Sequence, residues 1–168
     1  MNRRSVIART AASVVLAGSL LVGTSACSLF AEQTTLKPYD ASDGVSVTLG
    51  TVAIRNMFAI ASPDGKTLSL VMTIINTGTS YANVTFQYPS EGKQATSVRF
   101  ARPGAPLSLG NAPDQEQFII TNSGIAPGAN LPVYVQTGSI PGQLVPVPVL
   151  DGSLSQYSTL VPTPAPTQ

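Results

Sequence analysis

Histidine and tryptophan are missing from the chain, and Cys27 is the only thiol that its 168 residues supply. Without an imidazole or a second thiol, the Ser–His and Cys–His nucleophile systems cannot be assembled. No disulfide can close within the chain, so stability must come from packing. Charge is scarce too, at 10% of residues, and downstream of Ala26 six Lys and Arg stand against eight Asp and Glu, a net charge of 6 − 8 = −2. Phosphate recognition needs clustered cations, which argues against nucleic acid as a partner. No apolar run reaches the roughly twenty residues that a membrane-spanning helix needs. What is abundant is Gly, Pro, Ser, Thr, Asn and Gln, the composition of a β domain whose surface is polar rather than ionic.

The first stretch with a plain meaning is the N-terminal one. Arg3, Arg4 and Arg9 precede an apolar run that begins at Ala12 and closes on the small residues Thr24-Ser25-Ala26, immediately before Cys27. This is the anatomy of an export signal, so residues 1–26 read as a signal peptide. The adjacent Arg3-Arg4 also fits a twin-arginine signal. Ser25-Ala26-Cys27 resembles the end of the lipobox of bacterial lipoproteins, although Thr24 stands where a lipobox usually has Leu. The resemblance implies that Cys27 carries a diacylglyceryl thioether and a palmitate-type acyl chain. A free or disulfide-paired thiol at the N-terminus is the alternative. An exposed unpaired thiol in an oxidising compartment is a chemical liability, which favours the lipid. Two acyl chains hold a protein stably, at about 0.8 kcal/mol per buried methylene. The expected address is therefore extracytoplasmic, lipid-anchored at the cell membrane.

Residues 27–43 read as lipidated N-terminus and tether, 44–152 as a β domain, and 153–168 as a Pro-rich, disordered tail. Within the domain, Val45, Val47 and Leu49 alternate with polar partners, and Val52, Ile54, Phe58 and Ile60 continue that period of two. Ser62-Pro63-Asp64-Gly65-Lys66 has the chemistry of a tight turn. A three-residue loop there sets Ile60 opposite Leu68, Phe58 opposite Leu70 and Ile54 opposite Ile74, and puts Met57 and Met72 on opposite faces. A one-residue slide would set Met57 opposite Met72 but Ile60 against Ser69, and is rejected on that ground. Further strands are expected around 81–88, 96–100, 118–121, 131–137 and 144–150, with 107–115 as loop. Pro146 and Pro148 lack the amide donor of a central strand and place the last segment at a sheet edge. Short strands with turn signals about every ten residues define an all-β fold, an antiparallel β-sandwich.

Leu70-Val71-Met72-Thr73-Ile74-Ile75-Asn76-Thr77-Gly78 resembles the signature strand and turn of the copper chaperones of the PCuAC type. Ile125–Val133 and Leu144–Val149 match in the same order. The resemblance covers 44–150 and implies an immunoglobulin-like or cupredoxin-like Greek-key sandwich, closest to an actinobacterial lipoprotein branch of that family. It also implies a Cu(I) site of methionine and histidine ligands. Met72 occupies one methionine position, but the remaining ligand positions fall near Ala61, Ala95 and Ser97, none of which can bind copper. Met72 is thus a weak metal candidate, more simply a core residue, and no cofactor is expected.

The remaining chemistry is sparse. Asp40 with Asp43 and Asp114 with Glu116 are the carboxylate pairs that could hold Ca²⁺ or act as acid and base. Each lies in a Gly-, Pro- or Ser-rich loop where Asp is an ordinary turn former. Lys37, Lys66 and Lys93 sit in tether or turns. Asn83-Val84-Thr85 fits a glycosylation sequon but reads as strand, and Tyr81, Tyr88 and Tyr134 are the aromatics available for a binding face. The reading is a lipid-anchored module at the cell envelope that binds an unknown envelope protein or ligand and is not an enzyme. A copper metallochaperone is the alternative.

Overall fold

The domain begins with a hairpin whose second strand changes phase halfway. In the computed structural model, which describes residues 6–7, 9–19, 40, 42–112 and 114–162, β1 (Val45–Leu49) turns at Gly50 into β2 (Val52–Ala61), and β2 into β3 (Thr67–Asn76). Along β2 and β3, Arg55 faces Thr73 and Phe58 faces Val71, so Asn56 and Met57 together oppose Met72. That two-against-one step is a β-bulge, and Asn56 adopts φ 51° to make it. Before the bulge Val52 and Ile54 point into the main core; after it Met57, Ala59 and Ala61 do. Phe58 and Ile60 emerge on the opposite face, beside Val71.

This corrects the expected register. Ile54 does face Ile74, but Phe58 faces Val71, Ala59 faces Leu70, Ile60 faces Ser69 and Ala61 faces Leu68. The loop also holds four residues rather than three. Ser62 N–H donates to Thr67 O at 2.8 Å, Thr67 N–H to Ser62 Oγ at 3.0 Å and Lys66 N–H to Asp64 Oδ1 at 3.1 Å. The Ser62 hydroxyl donates to Asp64, and these side-chain bonds close the longer loop. Met57 and Met72 consequently share one interior rather than opposite faces.

The chain continues through β4 (Ala82–Ser90), β5 (Lys93–Ala101), β6 (Leu107–Leu109), β7 (Phe118–Thr121), β8 (Asn130–Thr137) and β9 (Ile140–Leu150). β1, β2, β3, β6 and β7 form one layer, and β4, β5, β8 and β9 the other; the last residues of β9 join the layers by running parallel to β2. The fold is the expected β-sandwich, with one parallel seam. Val84 and Phe86 of β4, Leu131, Val133 and Val135 of β8, and Val145 and Val147 of β9 meet the β2–β3 face in a single core. Leu107–Leu109, read as loop from its polar neighbourhood, pairs with Ile74 to Met72. On β5 the alternation is inverted, with Val98 and Phe100 exposed and Arg99 turned inward. An inward charge on an edge strand discourages sheet-to-sheet association. Pro146 lies directly opposite Pro132, and neither has an amide to offer, so both point their missing donors away from the ladder. The edge assignment holds over that part of β9 and ends where Val149 and Leu150 dock on β2.

The reverse face of the β2–β3 hairpin is covered by the chain's own C-terminal segment, which corrects the tail boundary at 153. Ser155–Ser158 form a helical turn, and Tyr157 is buried against Phe58 with ring centroids 5.6 Å apart. Leu150, Leu160 and Val161 complete the patch. Burying one such side chain contributes roughly 1.5–3 kcal/mol, enough to hold a short segment that has little helix of its own. The Tyr157 hydroxyl donates to the Asp43 carboxylate. Upstream, residues 9–19 are helical and belong to a separate unit, Met1 to Tyr39. Among the described residues no helix is long and apolar enough to cross a membrane. The Pro-rich end, 163–168, lies outside the described residues.

Two measurements check this architecture. Asn56→Val forces a β-branched side chain to φ 51° and is expected to destabilise the domain by about 1–2 kcal/mol in urea unfolding, with Asn56→Gly costing less than half of that. The Asp43 hydrogen bond, and then burial, raise the Tyr157 phenol above its ordinary value of 10.0. A raised folded value means that this contribution is complete below pH about 10 and is lost as pH climbs through the folded value. Wild type is therefore expected to lose stability across that alkaline window, and Tyr157→Phe, weaker at neutral pH, to show no such step.

Candidate functional site

The residues that could carry metal chemistry converge on the bulge. Met57 and Met72, brought opposite one another there, both have 0% exposure. Leu70 and Ile74 flank Met72 on its own face, and Leu109 pairs with it across the ladder. The Met72 carbonyl accepts a hydrogen bond from Asn111 Nδ2 at 2.9 Å, which ties the 110–117 loop to β3. Two thioethers in one core suit a soft ion in kind. They fall short in number and access, because Ala61 is buried in the same core without a donor atom, while Ala95 and Ser97 lie on β5 of the other sheet. Among the described residues no group of three His, Cys, Asp or Glu could hold a metal ion. The donor set of the described residues therefore does not fit a copper site.

The carboxylate pairs dissolve into structural roles. Asp40 Oδ2 accepts the Ser46 amide at 2.9 Å, and Asp43 holds Tyr157. Glu116 stands 3.5 Å from the Arg99 guanidinium, which lies 4.5 Å above the Phe118 ring. Asp114 is exposed and apart from that contact. Lys66 lies in the β2–β3 loop, as expected, whereas Lys93, expected in a turn, is the first residue of β5 and faces Ser90 across the ladder. Cys27 and Lys37 lie outside the described residues.

Among the tyrosines, Tyr88 belongs to the core, edge-on to Phe118 at 5.4 Å. Tyr134 lies over Gly142, where an added Cβ would meet the ring at 2.4 Å. Tyr81 alone of the three stands free, at 67% exposure. Its position is set by Asn76, a buried side chain that composition did not single out. Asn76 Nδ2 donates to Ser80 O at 2.8 Å and to Ala101 O at 3.0 Å, and its Oδ1 accepts the Gly78 amide at 2.9 Å. The Thr77 amide and hydroxyl both donate to Thr51 O, at 2.9 and 3.0 Å. Asn-Thr-Gly is thus a knot joining the β1–β2 turn, the β3–β4 turn and the end of β5. The motif that carried the family resemblance is structural, and sequence could locate it without revealing that role.

No family model matches the chain, and no curated protein matches it. Among solved structures, the apo PCuAC domain of PmoF2 is similar at a TM-score of 0.51 and 12% identity, over 66% of this chain and 98% of that one. The copper-bound PCuAC domain of PmoF2 follows at 0.49 and 13%, over 64% and 98%, and the apo PCuAC domain of PmoF1 at 0.46 and 14%, over 62% and 98%. At such identity the likeness is one of fold. The chain has a PCuAC-type β-sandwich, as the strand and turn motifs implied.

Removing the Asn76 amide takes the side-chain partner from the buried Ala101 carbonyl and from the part-buried Ser80 carbonyl and Gly78 amide. Asn76→Ala is expected to lower unfolding free energy by about 2–4 kcal/mol in a denaturant titration, the cost of orphaned buried groups.

Proposed function

We propose that this chain is a lipid-anchored, extracytoplasmic, non-enzymatic binding module at the cell envelope, one that keeps the PCuAC-type sandwich and does not hold copper with its own side chains. The observation that carries the reading is the combination of that fold with an interior in which Met57 and Met72, the soft donors among the described residues, are sealed from solvent. The export signal and Cys27 support the address. The absence of any histidine, and the structural duties of Asp40, Asp43 and Glu116, support a role without catalysis.

A copper(I) metallochaperone is the second reading. The comparisons support this reading more than the first, since the similar solved structure is a PCuAC domain, and the bulge brings Met57 and Met72 into one core instead of onto opposite faces. It requires further ligands from another protein and an opening of the core to reach them.

Competition for Cu(I) against a chromogenic chelator separates the two. The binding-module reading expects no stoichiometric copper uptake by the isolated mature protein and no difference between wild type and the Met57→Leu/Met72→Leu variant. Tight one-to-one uptake that the double variant abolishes would establish the metallochaperone. The address is tested by intact mass of the membrane-extracted protein, expected to begin at Cys27 with a diacylglyceryl addition that Cys27→Ala lacks; an unmodified chain in the medium would refute the anchor.

A further inference from the structure

The binding-module reading leaves open what is bound, and one end of the sandwich bears on it. Three turns meet there: Leu49 to Thr51 between β1 and β2, Tyr81 to Asn83 at the start of β4, and Thr137 to Ile140 between β8 and β9. They line an open surface cleft of about 400 Å³, within the range of small-ligand sites. Three features of its construction point the same way.

The first is charge, since none of the lining residues carries any. Phosphates, carboxylates and ammonium groups would find no counter-charge in it. The second is the mixture of surfaces. The Tyr81 ring and the Ile140 side chain, 67% and 39% exposed, give a flat aromatic and an aliphatic contact, while Asn83, Thr51 and Ser139 offer an amide and hydroxyls able both to donate and to accept. A ligand that matches them has apolar C–H faces and a rim of neutral hydroxyls. The third is rigidity. Asn76 ties down the turn that presents Tyr81, and Thr77 ties that turn to Thr51. The Ile140 side chain closes on Gly50, where an added Cβ would lie 2.5 Å from Ile140 Cδ1, so the β8–β9 turn is seated on the β1–β2 turn. An exposed aromatic held on a fixed turn loses little freedom when a ligand arrives, and preorganisation of this kind favours affinity.

We propose that this end cleft binds a neutral saccharide, with Tyr81 stacking on a pyranose face and Asn83, Thr51 and Ser139 hydrogen-bonding its hydroxyls. The proposal deepens the binding-module reading and rests on it, but copper uptake and saccharide binding are read in separate assays and fail separately.

The test is an amide-resolved NMR titration of the mature chain carrying Cys27→Ser, with N,N′-diacetylchitobiose and maltotriose as neutral probes and trigalacturonate as the charged comparator. The expected result is saturable shifts, with at least one neutral probe, confined to the amides of Tyr81, Asn83, Ser139, Ile140 and their neighbours. Tyr81→Ala, at an exposed position that leaves the fold intact, is expected to weaken that binding about tenfold. No saturable shift with either neutral probe, shifts centred elsewhere, equal response to trigalacturonate, or indifference to Tyr81→Ala would each overturn the proposal.

Discussion

The bulge at Asn56 and Met57 is the constraint on which the rest of the domain depends. A strand without it would show one apolar face, and the second face of the β2–β3 hairpin would need no cover. By inserting one residue with φ 51°, the chain moves Met57, Ala59 and Ala61 into the main core and turns Phe58 and Ile60 to the reverse side. The hairpin becomes a middle layer buried on both faces. The reverse side must then be capped, which Tyr157 and its neighbours do. The same step brings Met57 and Met72 into one core closed to solvent.

Much of the fold was legible because period-two alternation and turn chemistry reinforce each other. The strands around Val45–Leu49, Thr67–Asn76 and Phe118–Thr121, and the inward faces of Leu68 to Ile74, follow from residue pattern alone. The register of β2 against β3 was not legible past Ile54. An Asn in left-handed conformation carries no glycine to announce it, and a one-residue phase change is invisible to a strictly alternating pattern. A signal was nevertheless present: Met57 to Ala61 is apolar at every position, the mark of a strand covered on both sides. The C-terminal cover escaped notice for a related reason, since four helical residues around one tyrosine have no periodicity to detect.

The functional end of the reading divides in the same way. Composition shows that histidine is missing, and the structure adds that Met57 and Met72 are both fully buried. The Asn76-Thr77-Gly78 motif stood out in the sequence as a resemblance, and its meaning emerged only when the Asn76 amide was seen bridging Ser80, Ala101 and Gly78. A buried side chain whose partners lie far along the sequence cannot be read from spacing. What the motif maintains is the geometry of one end of the sandwich, and a fold does not by itself specify the chemistry it carries.

The central claim is that Met57 and Met72 serve as packed core and not as exposed sulfur donors. Mass-spectrometric oxidation footprinting with hydrogen peroxide tests it directly, because thioether oxidation follows solvent access. The account predicts that in the folded mature protein both methionines resist oxidation together and become reactive only on unfolding in denaturant. Oxidation of either at the rate of a free methionine, under conditions where the fold is intact, would contradict it and return the pair to consideration as a metal site.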